Sequence, residues 1–343
     1  VSAPVRGRSR RATVILVVAV AGVLAGCVLS IVVGARPTSP VDAFSALFAG
    51  PDGGAADSDL SQVVWQLRVP RTLLALAAGA ALAVSGAFAQ AWTRNPLADP
   101  GIIGITAGAA FAVAVGTTLG VVALGSQALL ALAGAGAVAL VVLAVSRRTS
   151  DPLTLLLVGF GMAAALHAAT TLLALQDSSV LDGMRQWIVG STVGRDGGDL
   201  AIAAVGLAVG LLIAAVAARP MDLLAMGEST AVGLGGSPHT TRTLTALAVV
   251  ILAGSATAAV GPIAFVGFAA PHIVRRFTGP SLSRMLIPTA LAGAAITLIA
   301  DVLGRVVARP GEVEVSVVLA VIGAPLLILS VARMRRGRPG AFA

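Results

Sequence analysis

Val69-Pro70-Arg71-Thr72-Leu73-Leu74-Ala75-Leu76-Ala77-Ala78-Gly79-Ala80-Ala81-Leu82-Ala83-Val84-Ser85-Gly86-Ala87-Phe88-Ala89-Gln90-Ala91-Trp92 carries no charge after Arg71. An α-helix needs roughly 20 predominantly apolar residues to cross the hydrocarbon of a bilayer. This stretch reads as such a helix. Further apolar runs lie at 12–35, 101–124, 126–146, 153–175, 199–218, 243–263, 284–308 and 313–332, with a shorter one at 263–274. Nine full runs and one short run give ten candidate crossings. The expected fold is all-α: a polytopic transmembrane helical bundle, one membrane domain over residues 1–343.

Composition points the same way. Of 343 residues, 57% are hydrophobic and 11% charged, against about 25% charged in ordinary globular domains. The mean hydropathy is +0.97. A soluble enzyme, a nucleic-acid-binding module and a disordered chain are excluded. The net charge is +8, and all 23 basic residues are arginine. Without lysine the chain cannot form a P-loop, whose Lys holds nucleotide phosphates, so it is not itself a P-loop ATPase. The single Cys27 excludes an intramolecular disulfide and a cysteine-based metal cluster. With no Tyr and 3% aromatics, an aromatic substrate cage is not expected.

The high pI follows from the excess of Arg on cytoplasmic loops of membrane proteins. With a cytoplasmic amino terminus and ten crossings, 16 arginines fall inside, among them Arg6, Arg8, Arg10, Arg11, Arg275, Arg276 and the tail at 333–343; 7 fall outside. This distribution requires the short run at 263–274 to cross. Both termini are then cytoplasmic, flanked by basic tails at 1–11 and 333–343. Leu24-Ala25-Gly26-Cys27 matches a lipoprotein cleavage box, but the apolar run continues through Val33, and we expect a first spanning helix there.

Small residues recur four apart at Gly104 and Gly108, Gly190 and Gly194, and Gly206 and Gly210, a spacing that lets helix backbones approach in lipid. Ionisable residues within spans usually mark function, and few occur. His167 is expected to be neutral and hydrogen-bonded to a neighbouring helix. Asp301 stands four residues before Arg305, the spacing of a helical ion pair. Membrane carboxylates are too scarce for an ion- or proton-coupled carrier, so the energy for any transport must come from elsewhere.

Three loops stand out. Arg94-Asn95-Pro96-Leu97-Ala98-Asp99-Pro100-Gly101 breaks the chain with two prolines and a glycine; it is either a plain inter-helix turn or a rigid turn closing a pore from inside. The inside segment 219–242 contains Leu223, Leu224, Met226, Ala231 and Leu234, the apolar side of a short helix pair broken at Gly227. It is either a solvated loop or a surface helix that fits a partner's groove. At the outer face, Arg68, Arg71, Arg305 and Arg309 run against the charge trend. They either snorkel to the interface or meet acidic groups of a docking protein or substrate.

Taken in order, Leu67-Arg68-Val69-Pro70-Arg71, Gly79 to Gly86, Asn95-Pro96-Leu97-Ala98-Asp99-Pro100-Gly101, Met226-Gly227-Glu228 with Leu234-Gly235, Phe265-Val266-Gly267-Phe268, Pro271-His272-Ile273, Ala300-Asp301 and Ile322-Gly323-Ala324-Pro325 resemble the FecCD family. These are permease subunits of ABC importers for ferric siderophores, haem and cobalamin. The resemblance implies pairing with a second permease copy or paralogue, two cytoplasmic ABC ATPase subunits and an extracytoplasmic substrate-binding protein. It implies that Asp222, Met226, Gly227, Glu228, Leu234 and Gly235 couple to the ATPase. Arg68, Arg71 and Arg305 would receive the binding protein, and Asn95, Pro96 and Leu97 would form an inner gate. The family's second gate element falls at Asp151-Pro152-Leu153-Thr154, which departs from the pattern by lacking the small hydroxyl pair of some members, and His272 is expected to be a structural cap near the inner surface.

The function expected on that basis is ATP-driven import of a ferric siderophore across the cytoplasmic membrane of a prokaryote, with cobalamin or haem as the alternative. The chain would be no enzyme. It would bind no cofactor or metal itself; ATP and Mg would sit on the partner ATPases. A secondary transporter working alone would instead show flux without ATP.

Overall fold

The computed structural model describes residues 5–34, 38–51, 58–121, 124–146, 148, 152–178, 180, 181, 184, 187, 189–309 and 311–336. Asp151 and four of the arginines assigned to loops and tails, Arg36, Arg147, Arg185 and Arg338, lie outside them. Among the described residues all regular structure is helical. The elements are α1 Val5–Val32, α2 Pro40–Ala49, α3 Ser58–Gln62, α4 Val69–Trp92, α5 Ile105–Thr118, α6 Leu124–Ser146, α7 Pro152–Gln176, α8 Gly197–Ala225, α9 Glu228–Gly233, α10 Pro238–Val260, α11 Val266–Thr278, α12 Leu282–Val307 and α13 Val315–Arg336.

Seven helices among the described residues are long and apolar enough to cross a membrane: Arg10–Val32, Asp59–Trp92, Gln127–Val145, Leu157–Gln176, Gly197–Ala225, Pro238–Val260 and Leu282–Val307. Three shorter apolar helices accompany them, Pro40–Ala49, Ile105–Thr118 and Val315–Ile328. The fold is a transmembrane helical bundle, and the protein is a multi-pass membrane protein.

Two expected runs take a different form. The run at 101–124 is shortened because Pro100 opens a 3-10 turn over Pro100–Ile103, with Gly104 left-handed at φ 90 before α5 starts. The run at 263–274 becomes α11, entered through Phe265 at φ 70. That is a costly conformation for a residue with a bulky side chain. The Phe265 ring packs so closely on α13 that a Cβ on Gly323 would lie 2.5 Å from its Cγ. Two of the quoted motifs, around Phe265 and Gly323, therefore meet in space.

α4 is the axis of the bundle: 89% of its apolar window is buried, and it packs on α8, α10, α11 and α12. Side-chain volume decides these crossings. A Cβ on Gly79 would lie 2.6 Å from Gly293 O, and one on Gly293 would lie 2.3 Å from Gly79 O. The α4–α12 crossing thus depends on the absence of two side chains. Gly108 and Gly134 repeat this between α5 and α6, and Gly206 and Gly210 fit against Ser255 and Leu252 of α10. Gly104, Gly190 and Gly194 do not belong to such helical faces: all three adopt positive φ at turns or caps.

Candidate functional site

The chemistry gathers at the two ends of α4 and α12. At the first, a π-helical turn over Val63–Arg68 leads into α4, with Pro70 in its first turn. The turn brings Arg68 and Arg71 to the end of α12. Asp301 is 1% exposed at its side chain and accepts from three residues. Arg71 donates to it through Nε at 3.1 Å and Nη2 at 2.8 Å, Thr192 Oγ1 at 2.6 Å, and Arg305 through Nη2. Arg71 Nη1 donates to Glu312 at 2.6 Å. Such charge-assisted, partly bidentate pairs are the strong class of hydrogen bond.

Arg305 and Arg68 turn inward to α1. Arg305 donates to Ser30 O at 2.8 Å and Ser30 Oγ at 3.0 Å. Arg68 donates to Ile31 O at 2.7 Å, Val32 O at 3.1 Å and Thr38 Oγ1 at 2.9 Å. These carbonyls belong to the last turn of a helix, where acceptors lack intrahelical partners and carry partial negative charge. Ser30 Oγ and Thr72 Oγ1, 2.7 Å apart, close the network. Arg68 and Arg305 are 5% and 2% exposed. Of the arginines expected at an outer surface, Arg68, Arg71 and Arg305 are built into one clamp joining α1, α4 and α12, whereas Arg309 is exposed and donates to Gly34 O at 3.1 Å. The i, i+4 pair of Asp301 with Arg305 is present as expected. Ser30, Thr72, Thr192 and Glu312 were not legible, since no local spacing links them to it.

A cavity of about 320 Å³ opens beside the clamp. Four arginines (Arg68, Arg71, Arg195 and Arg305) and two carboxylates (Asp196 and Glu312) line it. Burial lowers the Arg195 pKa, a shift opposed by Asp199 and Asp196.

At the other end of α4 the Asn95 turn is rigid and self-contained. Asn95 Oδ1 accepts from Leu97 N at 2.9 Å, Arg94 takes φ 51, and Asp99 caps the following turn by accepting from Gly101 N at 2.9 Å. Pro96 is exposed, with Asn95 and Leu97 partly so. Burial raises the Asp99 pKa, partly opposed by the Gly101 N–H. Beside this turn, Gln90 donates to Gly267 O at 3.2 Å and accepts from Arg275 at 2.9 Å. That contact ties α4 to α11. His272 stacks on Phe268 with centroids 5.5 Å apart and meets Arg276 at 3.0 Å. It sits inside α11 and is not a helix cap.

The segment between α8 and α10 forms a protruding corner. Gly227 at φ 118 and Gly235 at φ 79 set its two bends, and the six residues of α9 lie between them. The expected break at Gly227 is present, but the apolar residues divide. Leu224 and Ala231 are buried against the bundle, while Met226, Val232 and Leu234 are 60%, 56% and 62% exposed. Glu228 pairs with Arg242 of α10 at 3.0 Å. Asp222 lies below the corner and contacts the start of α12 rather than the exposed face.

α7 differs from the other long helices, with only 11% of its apolar window buried. His167 is exposed on it. The expectation that a neighbouring helix holds this His is not met, because no described helix covers that face.

A model of the FecCD transport family matches residues 19–333. The chain is 40% identical over 316 residues to the ferric enterobactin transport system permease protein FepD of Escherichia coli (strain K12), covering 90% of this chain and 92% of that one. It is 35% identical over 330 residues to the Fe(3+)-citrate import system permease protein YfmE of Bacillus subtilis (strain 168), covering 94% and 96%. A solved chain described as of the metal-chelate ABC transporter type, in an inward-facing conformation, superposes with a TM-score of 0.82 at 28% identity, covering 93% of this chain and 99% of that one. Sequence motifs, bundle and relatives agree, and the chain belongs to the FecCD transport family.

Proposed function

We propose that this protein is the membrane-spanning subunit of an ATP-driven importer that carries ferric siderophores across the cytoplasmic membrane of a prokaryote. The observation that carries the reading is near full-length similarity to permeases named for ferric enterobactin and ferric citrate, in a chain with its own exposed apolar corner at Met226, Val232 and Leu234. Exposed apolar side chains on a protruding turn suit a partner's groove. Two cytoplasmic ATPase subunits would seat that corner and bind ATP and Mg, while this chain binds no cofactor. Gly227 and Gly235 set its shape, and Glu228 with Arg242 fixes α9.

In this reading the corner and the Asn95 turn face the cytoplasm with both termini, and the arginine clamp faces outside. A substrate-binding protein docks over the cavity beside the clamp, where arginines outnumber the lining carboxylates and attract acidic side chains. Arg71 offers the most accessible guanidinium of the clamp, with Arg68 and Arg305 supporting it from below. Asn95, Pro96 and Leu97 form the inner gate. The open face of α7, carrying His167, lies against a second permease copy or paralogue, with the substrate path between them. The test is uptake in cells deleted for this gene, using 55Fe-loaded enterobactin, 55Fe-citrate and labelled cobalamin. Loss of an iron-chelate signal alone supports the proposal; loss of cobalamin uptake alone would replace it with the cobalamin reading.

A further inference from the structure

The start of α12 is capped by another helix. Ser281 holds the N-cap position, and serine is favoured there because its side chain accepts from the free N–H groups of the first turn. Ser281 makes no such bond. Its hydroxyl donates to Asp222 Oδ2 at 2.7 Å, and Asp222 performs the capping. Leu282 N–H donates to Oδ1 at 2.7 Å, Ser283 N–H to Oδ2 at 3.2 Å, and the Ser283 hydroxyl to Oδ2 as well. A carboxylate at a helix N-terminus is favoured both by the macrodipole and by charge-assisted hydrogen bonding.

The position of this cap gives it a consequence. Asp222 lies in the last turn of α8, directly before the corner at Gly227. The corner packs on α8 and α10, with Ala231 buried and Glu228 paired with Arg242 of α10. At 1.5 Å per residue, Asp301 lies roughly 28 Å along α12 from Leu282. There it holds Arg71, Arg305 and Thr192. One helix therefore has Asp222, five residues before the Gly227 bend, at its first turn and the clamp near its last.

We propose that Asp222 is the positioning residue that joins the ATPase-facing corner to α12, so that displacement of the corner moves α12 as a body and resets the clamp at the far end. The inference rests on the transport reading above. Discrete shifts of packed helices are an established way of linking distant sites.

The experiment uses the complete complex in proteoliposomes, comparing wild type with Asp222→Ala and Asp222→Asn. Uptake of 55Fe-enterobactin per ATP hydrolysed is the first readout, because lower protein yield alone does not change it. Asp222→Ala should lower that ratio about fivefold or more, the range of a typical coupling between sites. Asp222→Asn, which keeps one carbonyl acceptor, should fall between. An unchanged ratio in both would overturn the proposal; if Asp222→Ala does not insert, Asp222→Asn decides it. The second readout does not need transport. Spin labels at Ser229→Cys and Arg284→Cys, in a Cys27→Ser background, should give a narrow distance distribution that broadens with Asp222→Ala. An unchanged distribution would overturn the link. Absence of ATP-dependent uptake in the wild-type complex would instead count against the importer reading.

Discussion

Replacing Asp301 with alanine removes the acceptor at the centre of the clamp. Arg71 loses the partners of its Nε and Nη2 but keeps Glu312; with 14% of its side chain exposed, it recovers some hydration. Thr192 loses its acceptor. Arg305, 2% exposed, keeps Ser30 and Val33 carbonyls but no carboxylate. Removing one partner of a buried ion pair costs about 3–5 kcal/mol, because the other charge stays buried. A fall in Tm on the order of 10 °C is expected for detergent-solubilised protein followed by tryptophan fluorescence. The double change Asp301→Leu with Arg305→Met removes both charges and leaves Arg71 on Glu312. It should be less destabilising than Asp301→Ala alone, since apolar replacement of a buried pair is often neutral. A loss under about 1 kcal/mol for Asp301→Ala, or a double variant worse than the single, would show that Asp301 does not hold a buried charge in place.

Other expectations come from packing, the corner and the inner turn. Gly86→Val places a Cβ about 1.9 Å from Gly267 O and should cost about 3 kcal/mol or more; Gly136→Ala, with nothing within 4 Å, should leave stability equal or higher in the same unfolding assay. Leu234→Glu should leave Tm within a degree or two, as exposed substitutions usually do, yet reduce co-purification of the ATPase roughly tenfold through loss of an anchoring contact; unchanged co-purification would remove Leu234 from the interface. Asp99 has a raised pKa in the folded protein, so its contribution to stability is present below the unfolded carboxyl value of about 3.9 and is lost as pH rises through the folded one. Asp99→Asn should therefore gain Tm relative to wild type on going from pH 4 to pH 7, and a relative loss over that range would reverse the sign.

Apolar runs reveal the bundle because lipid demands long uninterrupted helices, and motif order reveals the family. Two things escape such reading. The first is how a run ends in space: the run at 101–124 contains enough apolar residues to span, yet the 3-10 turn opened by Pro100 and the left-handed Gly104 take its first residues out of α5. The second is partnership across the chain. Asp301 and Arg305 are legible as a helical pair, whereas Arg71 reaches Asp301 across 230 positions. Arg68 and Arg305 are noticeable in sequence as misplaced outer charges, but only the structure shows the carbonyls of α1 that receive them. Asp222 belongs with the corner by its place in the sequence, while its hydrogen bonds go to the start of α12. Met226 and Leu234 share an apolar pattern with Leu224 and Ala231, yet on each side of the bend at Gly227 one member is buried and the other exposed, a division set by which face packs on the bundle.

ATP-driven carriage of an iron chelate is measured as uptake of 55Fe-enterobactin into proteoliposomes that contain this chain with the ATPase and binding protein proposed above, with ATP or a non-hydrolysable analogue inside. Accumulation only with ATP, abolished by Glu228→Arg at unchanged permease content, is the predicted result. Equal flux with the analogue would contradict the account and make the protein a carrier that works without ATP.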